Sequence, residues 1–389
     1  MSTPTKFKRT LDLSELLSKK SHFLLGPRAT GKSFLIREQL RDKAFVIDLL
    51  KSDVWLRLSS RPQDLETMIN HYLRSHPQKP WVVIDEVQKI PHLLDEVHRL
   101  IEEKNLRFLL TGSSVRKLKA GQANLLAGRA WQAELFPVTW KECDQFDLDH
   151  TLRYGRLPIV VTSKYPEEEL DAYVKTYLNE EIQAEGLIRK LPQFSRFLRL
   201  AAQSSGEILN FAKLGNDAQM SPSTIREHYH ILEDTLLGKP LPAWTPSNSR
   251  KASSTAKFYL FDIGVAHALT GIKNIERQSN LYGKSFEHFI WMELQAALHY
   301  RREKTPLFFW RSTSHHEVDF VLPDLFAIEV KSTLQSSERD AKGLKAFQKE
   351  AHTPHRILVS QDPLNRRENG IDYLHWETFL TQLWAGHFF

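Results

Sequence analysis

The sequence predicts an α/β protein built in three parts, and three features of the chain lead there. Between Leu11 and about Pro137, short apolar β-rich runs alternate with amphipathic helical segments; from Lys141 to about Leu241 the pattern is helical; beyond Asn280 a long amphipathic helix precedes a group of strands. At roughly 100 to 200 residues per domain, a chain of 389 residues accommodates two or three cores, with boundaries read at 1–140, 141–275 and 276–389.

Hydrophobic residues at 41% and charged residues at 26% match ordinary globular usage and exclude disorder, collagen and coiled-coil arrays as the main architecture. The longest apolar runs, such as Trp81 to Ile84 and Phe108 to Leu110, fall far short of the ~20 residues that cross a bilayer. The leading MSTPTKFKRT has no apolar signal core. The expectation is a soluble cytoplasmic protein with no membrane partner. Cys143 is the single cysteine, which excludes an intramolecular disulfide and a thiol-rich zinc site. A formal charge of +6 admits an anionic partner such as nucleic acid without requiring one.

In the first part, apolar runs at His22 to Leu25, Ala44 to Leu50, Trp81 to Ile84, Arg107 to Leu110 and Ala130 to Phe136 read as parallel strands joined by helical crossovers. Residues 26–33 are GPRATGKS, which fits GxxxxGK(S/T) and lies between a strand-like FLL and a helical SFLIREQL. In such a loop the segment Gly26, Pro27, Arg28, Ala29, Thr30 and Gly31 wraps the phosphates of ATP, with every residue but Pro27 offering a backbone N–H. Lys32 reaches the β and γ oxygens and the Ser33 hydroxyl ligates Mg²⁺ at a helix N-terminus. WVVIDEV supplies the second acidic site: Asp85 at the strand end holds the Mg²⁺ through water, and Glu86 polarises the attacking water. LLTGSS brings Thr111 and Ser113 to the same edge, either as sensors of the γ-phosphate or as an ordinary strand-to-helix turn with a serine cap. Arg129, just before the fifth strand-like run, is placed to act as an arginine finger in a neighbouring copy, or else as a solvent-facing structural arginine.

These residues resemble those of the AAA-type ATPases of the P-loop superfamily, over roughly residues 10 to 140. The motifs GPRxxGKS, IDEVQKIP, TGSSxRKL, LLAGRAxxxELFP, YLNEEIQAEGLIRKLP and ILEDTLLG look more narrowly like a prokaryotic ATPase family whose C-terminal half is a domain of unknown function. Ala29 departs from the glutamine found in many members, a change expected to leave nucleotide binding intact. The resemblance implies ATP and Mg²⁺ as cofactors and a homo-oligomer, such as a hexameric ring.

In the middle part, ILNFAKLGNDAQMSPSTIREHYHILEDTLL has a short helix, a turn at Gln219 to Ser221, and a second helix with Ser221 as N-cap and Pro222 at its first position. The spacing resembles a winged-helix or helix-turn-helix unit that presents Ser223, Thr224, Arg226, Glu227 and His230. Two readings stay open: direct DNA contact, or a packing module. The basic residues Arg250, Lys251 and Lys257 fall where a wing would be.

In the last part, strands at Glu317 to Leu322 and Phe326 to Lys331 flank a turn, and a hairpin centred on Asp324 sets Asp319 opposite Glu329 with Lys331 on the same face. Asp319 and Glu329 can hold Mg²⁺ while Lys331 orients the attacking water; the alternative is an ion-pair cluster without catalysis. The D-x9-ExK spacing resembles the PD-(D/E)xK endonuclease fold, and Glu287 matches the acidic residue that this fold carries on its preceding helix. This implies a restriction-endonuclease-like C-terminal domain. The expected function couples ATP hydrolysis to Mg²⁺-dependent cleavage of DNA, branched or duplex, with Holliday junctions as one substrate. The alternatives are a nucleotide-dependent switch that binds DNA or protein and cuts nothing, and a DNA-binding regulator that uses only the middle domain.

Overall fold

The computed structural model describes residues 7–77, 81–112, 126, 128–178, 191–245 and 256–389. These residues divide into two units, Phe7–Val138 with Asp234–Leu237, and Thr139–Glu233 with Gly238–Phe389.

The first unit runs α1 (Leu13–Lys19), β1 (Ser21–Leu25), α2 (Lys32–Leu40), β2 (Ala44–Asp48), α3 (Ser52–Ser60), α4 (Asp64–Ser75), β3 (Trp81–Asp85), α5 (Leu93–Lys104), β4 (Arg107–Gly112) and β5 (Ala130–Glu134). The five strands form one parallel sheet in the order β2-β3-β4-β1-β5. β1, β3 and β4 are buried along most of their length, as central strands of a sheet covered on both faces must be. Strand β2 ends sooner than the apolar run that marks it, because the Asp48 carboxylate accepts the Leu50 N–H at 2.9 Å and turns the chain. One core layer joins Phe23, Ile47, Val82, Ile84, Phe108 and Leu110 to Val97 and Leu100 of α5 and Leu65 and Ile69 of α4.

The second unit begins with α6 (Leu148–Tyr154), α7 (Pro158–Thr162), α8 (Pro166–Ala172), α9 (Leu191–Gln203), α10 (Phe211–Ala218) and α11 (Pro222–Asp234). An antiparallel pair follows, β6 (Gly238–Pro242) and β7 (Ala256–Leu260), with an extra bridge from Ile208 to Lys257. Gly238 is required at its place: a Cβ there would lie 2.3 Å from the ring of Phe258. Next come α12 (Ile263–Thr270) and the long α13 (Asn280–Tyr300), capped by Ser279, whose hydroxyl accepts the Tyr282 N–H.

The remainder is β8 (Phe308–Arg311), β9 (Glu317–Leu322), β10 (Phe326–Val330), α14 (Lys342–Phe347), β11 (His355–Ser360), β12 (Arg366–Glu368), β13 (Ile371–His375) and α15 (Trp376–Ala385). Its sheet has the order β12-β13-β11-β10-β9-β8, parallel between β10, β11 and β13 and antiparallel elsewhere. The β9–β10 hairpin pairs Leu322 with Phe326 and Phe320 with Ile328, and Asp324 turns in the left-handed region at φ 64°. Among the described residues, no helix is long and apolar enough to cross a membrane.

Helix α13 is buried on most of its faces and carries a buried acid, Glu293. Its carboxylate accepts the Trp140 backbone N–H and the Trp384 indole N–H, both at 2.8 Å. Burial pushes its pKa up to about 7, against the pull of those two donors and of Arg156. The folded state therefore holds a proton that the unfolded chain has released, and this contribution is lost as pH rises through about 7. Between pH 5 and 7 the wild-type protein is expected to lose on the order of 2 kcal/mol more stability than Glu293→Gln does. Thermal unfolding of both proteins across that range checks this, and parallel pH profiles would remove Glu293 as the cause.

Candidate functional site

The phosphate loop follows β1 at the end of the sheet to which all five strands point their C-termini. Gly26 has φ 153°, and a Cβ there would lie 2.5 Å from the Leu135 carbonyl oxygen, so only glycine lets the loop pass this close to the end of β5. Arg9 ties the loop down from outside, donating to the carbonyls of Thr30 at 2.9 Å and Phe136 at 2.5 Å. Lys32 opens α2 and is buried, its ammonium donating to the carbonyls of Gly26 at 2.7 Å and Pro27 at 3.0 Å. The Thr30 hydroxyl donates to the Pro27 carbonyl at 2.9 Å, closing the loop from the other side. Arg28 and Ala29 are half-buried on the loop's crest, and Ala29 sits in the left-handed region at φ 61°. That conformation strains an alanine by roughly 1–2 kcal/mol, a cost characteristic of residues shaped by a ligand.

Two strands away, Asp85 ends β3 and links the remaining groups. Its Oδ2 accepts the Ser33 hydroxyl at 2.7 Å, and its Oδ1 accepts the Thr111 hydroxyl. The Thr111 oxygen in turn accepts the Glu86 N–H at 3.0 Å. Glu86 leaves the strand in a left-handed conformation (φ 62°, ψ 44°), and its Oε2 accepts the Gln88 amide at 2.5 Å. Ser33, Asp85, Thr111 and Glu86 are thus held in one chain of contacts beside Lys32. Strand β4 makes this possible: it lies between β1 and β3, so Thr111, its last residue but one, can touch what both neighbours present. Ser33 Oγ and the Asp85 carboxylate are hard oxygen donors on adjoining elements, and this donor set fits Mg²⁺.

Ser113 lies outside the described residues. Arg129 immediately precedes β5 at the opposite end of the sheet from the phosphate loop, where its guanidinium pairs with Glu102 of α5. It is therefore remote from the loop of its own chain.

In the second unit, Asp319 and Glu329 lie on neighbouring strands and both are buried. Asp319 Oδ2 accepts the Val330 N–H at 2.8 Å, and Glu329 Oε1 pairs with Lys331 at 2.6 Å. Glu329 Oε2 has no hydrogen-bond partner among the described residues and faces the backbone of α14 at Gly343. Glu287 of α13 joins the group, as the sequence predicts, and Glu317 of β9 adds a fourth carboxylate that sequence reasoning missed.

The cation at their centre comes from elsewhere. Lys257, expected on the solvated wing, is instead buried on β7, with Nζ 2.7 Å from Glu317, 3.1 Å from Glu287 and 3.9 Å from Asp319. The wing expectation failed because Lys257 is read from a polar stretch, while it is the second residue of a strand whose alternate side chains point inward. Tyr259, two residues on and also missed, donates its hydroxyl to Glu287 at 2.5 Å and stacks on Trp291 at 4.8 Å. The signal was the alternation Lys257, Tyr259 within KFYLF, a polar face on a strand too apolar to be a wing.

Burial alone would depress the Lys257 ammonium, but the facing Glu287, Tyr259, Asp319 and Glu317 outweigh it and keep it protonated. Burial pushes Asp319 up to about 6, with Glu287 adding to the rise. Burial and the neighbouring Asp319 raise Glu329 as well, whereas Lys257 and Tyr259 overcome burial to hold Glu287 below its usual value. The residues present do not fit a divalent ion held by Asp319 and Glu329: Asp319 shares the Lys257 ammonium with Glu287 and Glu317, and Glu329 is paired with Lys331. Among the described residues, no group of three or more His, Cys, Asp or Glu side chains is arranged to hold a metal ion.

The turn between α10 and α11 forms as the sequence predicts. Gln219 takes the left-handed position at φ 57°, and the Ser221 hydroxyl accepts the Thr224 N–H at 3.2 Å. Ser223, Arg226, Glu227 and His230 are exposed on α11, while Thr224 is half-buried with its hydroxyl against Ser221. Arg226 lies over the Phe211 ring at 5.1 Å. Arg250 and Lys251 lie outside the described residues.

Comparison with known proteins adds the following. Residues 18–143 match the AAA domain family, and residues 145–276 and 282–379 match two domains of unknown function, DUF8612 and DUF4143. Uncharacterized proteins of Mycobacterium bovis and Mycobacterium tuberculosis are each 27% identical over 304 residues, 76% of this chain and 66% of theirs. The chain thus spans slightly less than two thirds of those relatives' length. An uncharacterized protein of Haemophilus influenzae is 22% identical over 298 residues, 69% of this chain and 72% of its own. The first match and the geometry around Lys32 and Asp85 together support an AAA-type P-loop ATPase with a C-terminal domain of unknown function.

Proposed function

We propose that this protein is an ATP-driven switch that binds DNA through its helix-turn-helix-like unit and does not cut it. The observation that carries the ATPase reading is the contact chain from Ser33 through Asp85 and Thr111 to Glu86. When phosphate enters, Lys32 exchanges the carbonyls of Gly26 and Pro27 for phosphate oxygens, at the N-terminus of α2 where anions are favoured. Ser33 and Asp85 would hold Mg²⁺, which neutralises phosphate charge when bound. Glu86 releases the Gln88 amide to accept a proton from the attacking water, and Thr111 fixes the backbone from which Glu86 projects. A second copy of the chain is the partner that would use Arg129, since the residue lies far from its own phosphate loop and must first leave Glu102.

Three elements support the DNA reading: helix α10, helix α11 and the β6–β7 pair after them, in the order of a winged-helix unit, with Arg226 and His230 on the outer face of α11. The cleaving alternative draws on the juxtaposition of Glu287, Asp319, Glu329 and Lys331 in one group, with Asp319 and Glu329 buried and Lys331 at its rim. The Lys257 ammonium inside that group favours the reading without cleavage.

ATP turnover measured with duplex, forked and four-way DNA in Mg²⁺, with strand lengths followed on the same samples, tests both. The expected result is turnover stimulated by DNA with intact strands. Strand cleavage by the wild-type protein would restore the endonuclease reading, and turnover indifferent to DNA with no DNA bound would remove DNA as the partner.

A further inference from the structure

The acidic group in the second unit is a charge problem with an internal solution. Four carboxylates, Glu287, Glu317, Asp319 and Glu329, share a buried pocket with two ammonium groups, Lys257 and Lys331. Lys331 serves Glu329 from the half-exposed rim, whereas Lys257 serves the other three from inside. The Phe309 ring backs its ammonium at 5.6 Å, so the site is closed on that side by an aromatic face that favours a cation.

We propose that Lys257 is the resident cation of this pocket, and that a divalent ion binds there only when its ammonium is removed. The inference rests on reading the C-terminal unit as a nuclease-like module that does not cleave. Three points support it. The ammonium and a divalent ion would both need the oxygens of Glu287, Glu317 and Asp319, so they compete for one place. A divalent ion beside an ammonium at such distances in a buried site would meet a repulsion that the carboxylates cannot screen. Without the ammonium, the buried Asp319 and the half-buried Glu287 and Glu317 would lose their shared counter-ion, and hard oxygens in excess of charge are what Mg²⁺ or Mn²⁺ takes.

The strand that delivers Lys257 also explains why it is held there. Lys257 and Tyr259 occupy one face of β7 and reach the carboxylates, while Phe258 on the other face packs on Tyr229 of α11 at 4.8 Å. The ammonium is thus delivered by a strand that belongs to the hairpin of the helix-turn-helix-like unit.

Titration of the nucleotide-free protein with Mn²⁺, with free Mn²⁺ read by electron paramagnetic resonance, tests the proposal. Site-specific binding is defined as the part lost on adding Asp319→Asn. Wild-type protein is expected to show none up to the highest Mn²⁺ concentration titrated, and Lys257→Met to bind one Mn²⁺ with a Kd at least about tenfold below that concentration and its melting temperature raised by the ion. If Lys257→Met does not fold, Lys257→Met/Glu317→Gln, which keeps the net charge of the pocket, carries the same expectation. Asp319-dependent Mn²⁺ binding by the wild-type protein would overturn the proposal, as would a folded Lys257 variant that binds no Mn²⁺. Neither readout involves DNA, so strand cleavage by the wild-type protein would sink the non-cleaving reading separately.

Discussion

Glu86→Gln is expected to bind ATP as the wild-type protein does and to turn it over at least ~100-fold more slowly, the usual scale of a lost general base. The substitution keeps the size of the side chain and its contact with Gln88, and it leaves the Glu86 N–H on Thr111 untouched. Only the proton-accepting oxygen is lost. Lys32→Ala should fail earlier, at binding, because it removes the cation at the N-terminus of α2 that replaces the Gly26 and Pro27 carbonyls with phosphate. Nucleotide affinity by calorimetry and turnover by phosphate release separate the two. Equal loss of binding in both variants would withdraw Glu86 from its role in the chemical step.

Lys257→Met should destabilise the second unit by ~3–5 kcal/mol, the scale for removing one partner from a buried ion pair. The lysine side chain is 5% exposed and has three carboxylates within 4 Å, so water cannot take its place without opening the pocket. Lys331→Met provides the contrast. Its side chain is 39% exposed and serves one carboxylate, the buried Glu329, which burial and Asp319 already push toward its neutral form, so the loss should be smaller than for Lys257. Chemical denaturation of the two variants measures the difference, and equal losses would show that Lys257 is not the cation on which the pocket depends.

The strands of the first unit and the β9–β10 hairpin were legible because a short apolar run bounded by turn residues is a local signal: the expected centre at Asp324 is the residue that turns at φ 64°. The phosphate loop was legible for a similar reason, since its glycines and lysine act within eight consecutive residues. What escaped was chemistry assembled from distant segments. Glu287, Glu317 and Asp319 meet Lys257 across 30 to 62 positions of chain, and the alternation of Lys257 and Tyr259 in KFYLF marks an inward polar face without naming the carboxylates it meets. Gln88 and Arg9 escaped likewise, because their partners are a strained carboxylate and two backbone carbonyls that no residue pattern encodes. Strand β12 is Arg366–Glu368, three charged residues that carry no apolar alternation.

Strand β7 has a consequence for inheritance. The matches at 145–276 and 282–379 suggest two exchangeable pieces, yet the lysine and tyrosine that neutralise the second piece are encoded in the first. A recombination event that joined residues 282–379 to a foreign upstream segment would deliver Glu287, Glu317 and Asp319 without their counter-ion. Such a chimera would have to find another cation or lose its fold, so the two pieces are expected to descend together, and their pairing is a trait on which selection acts as one.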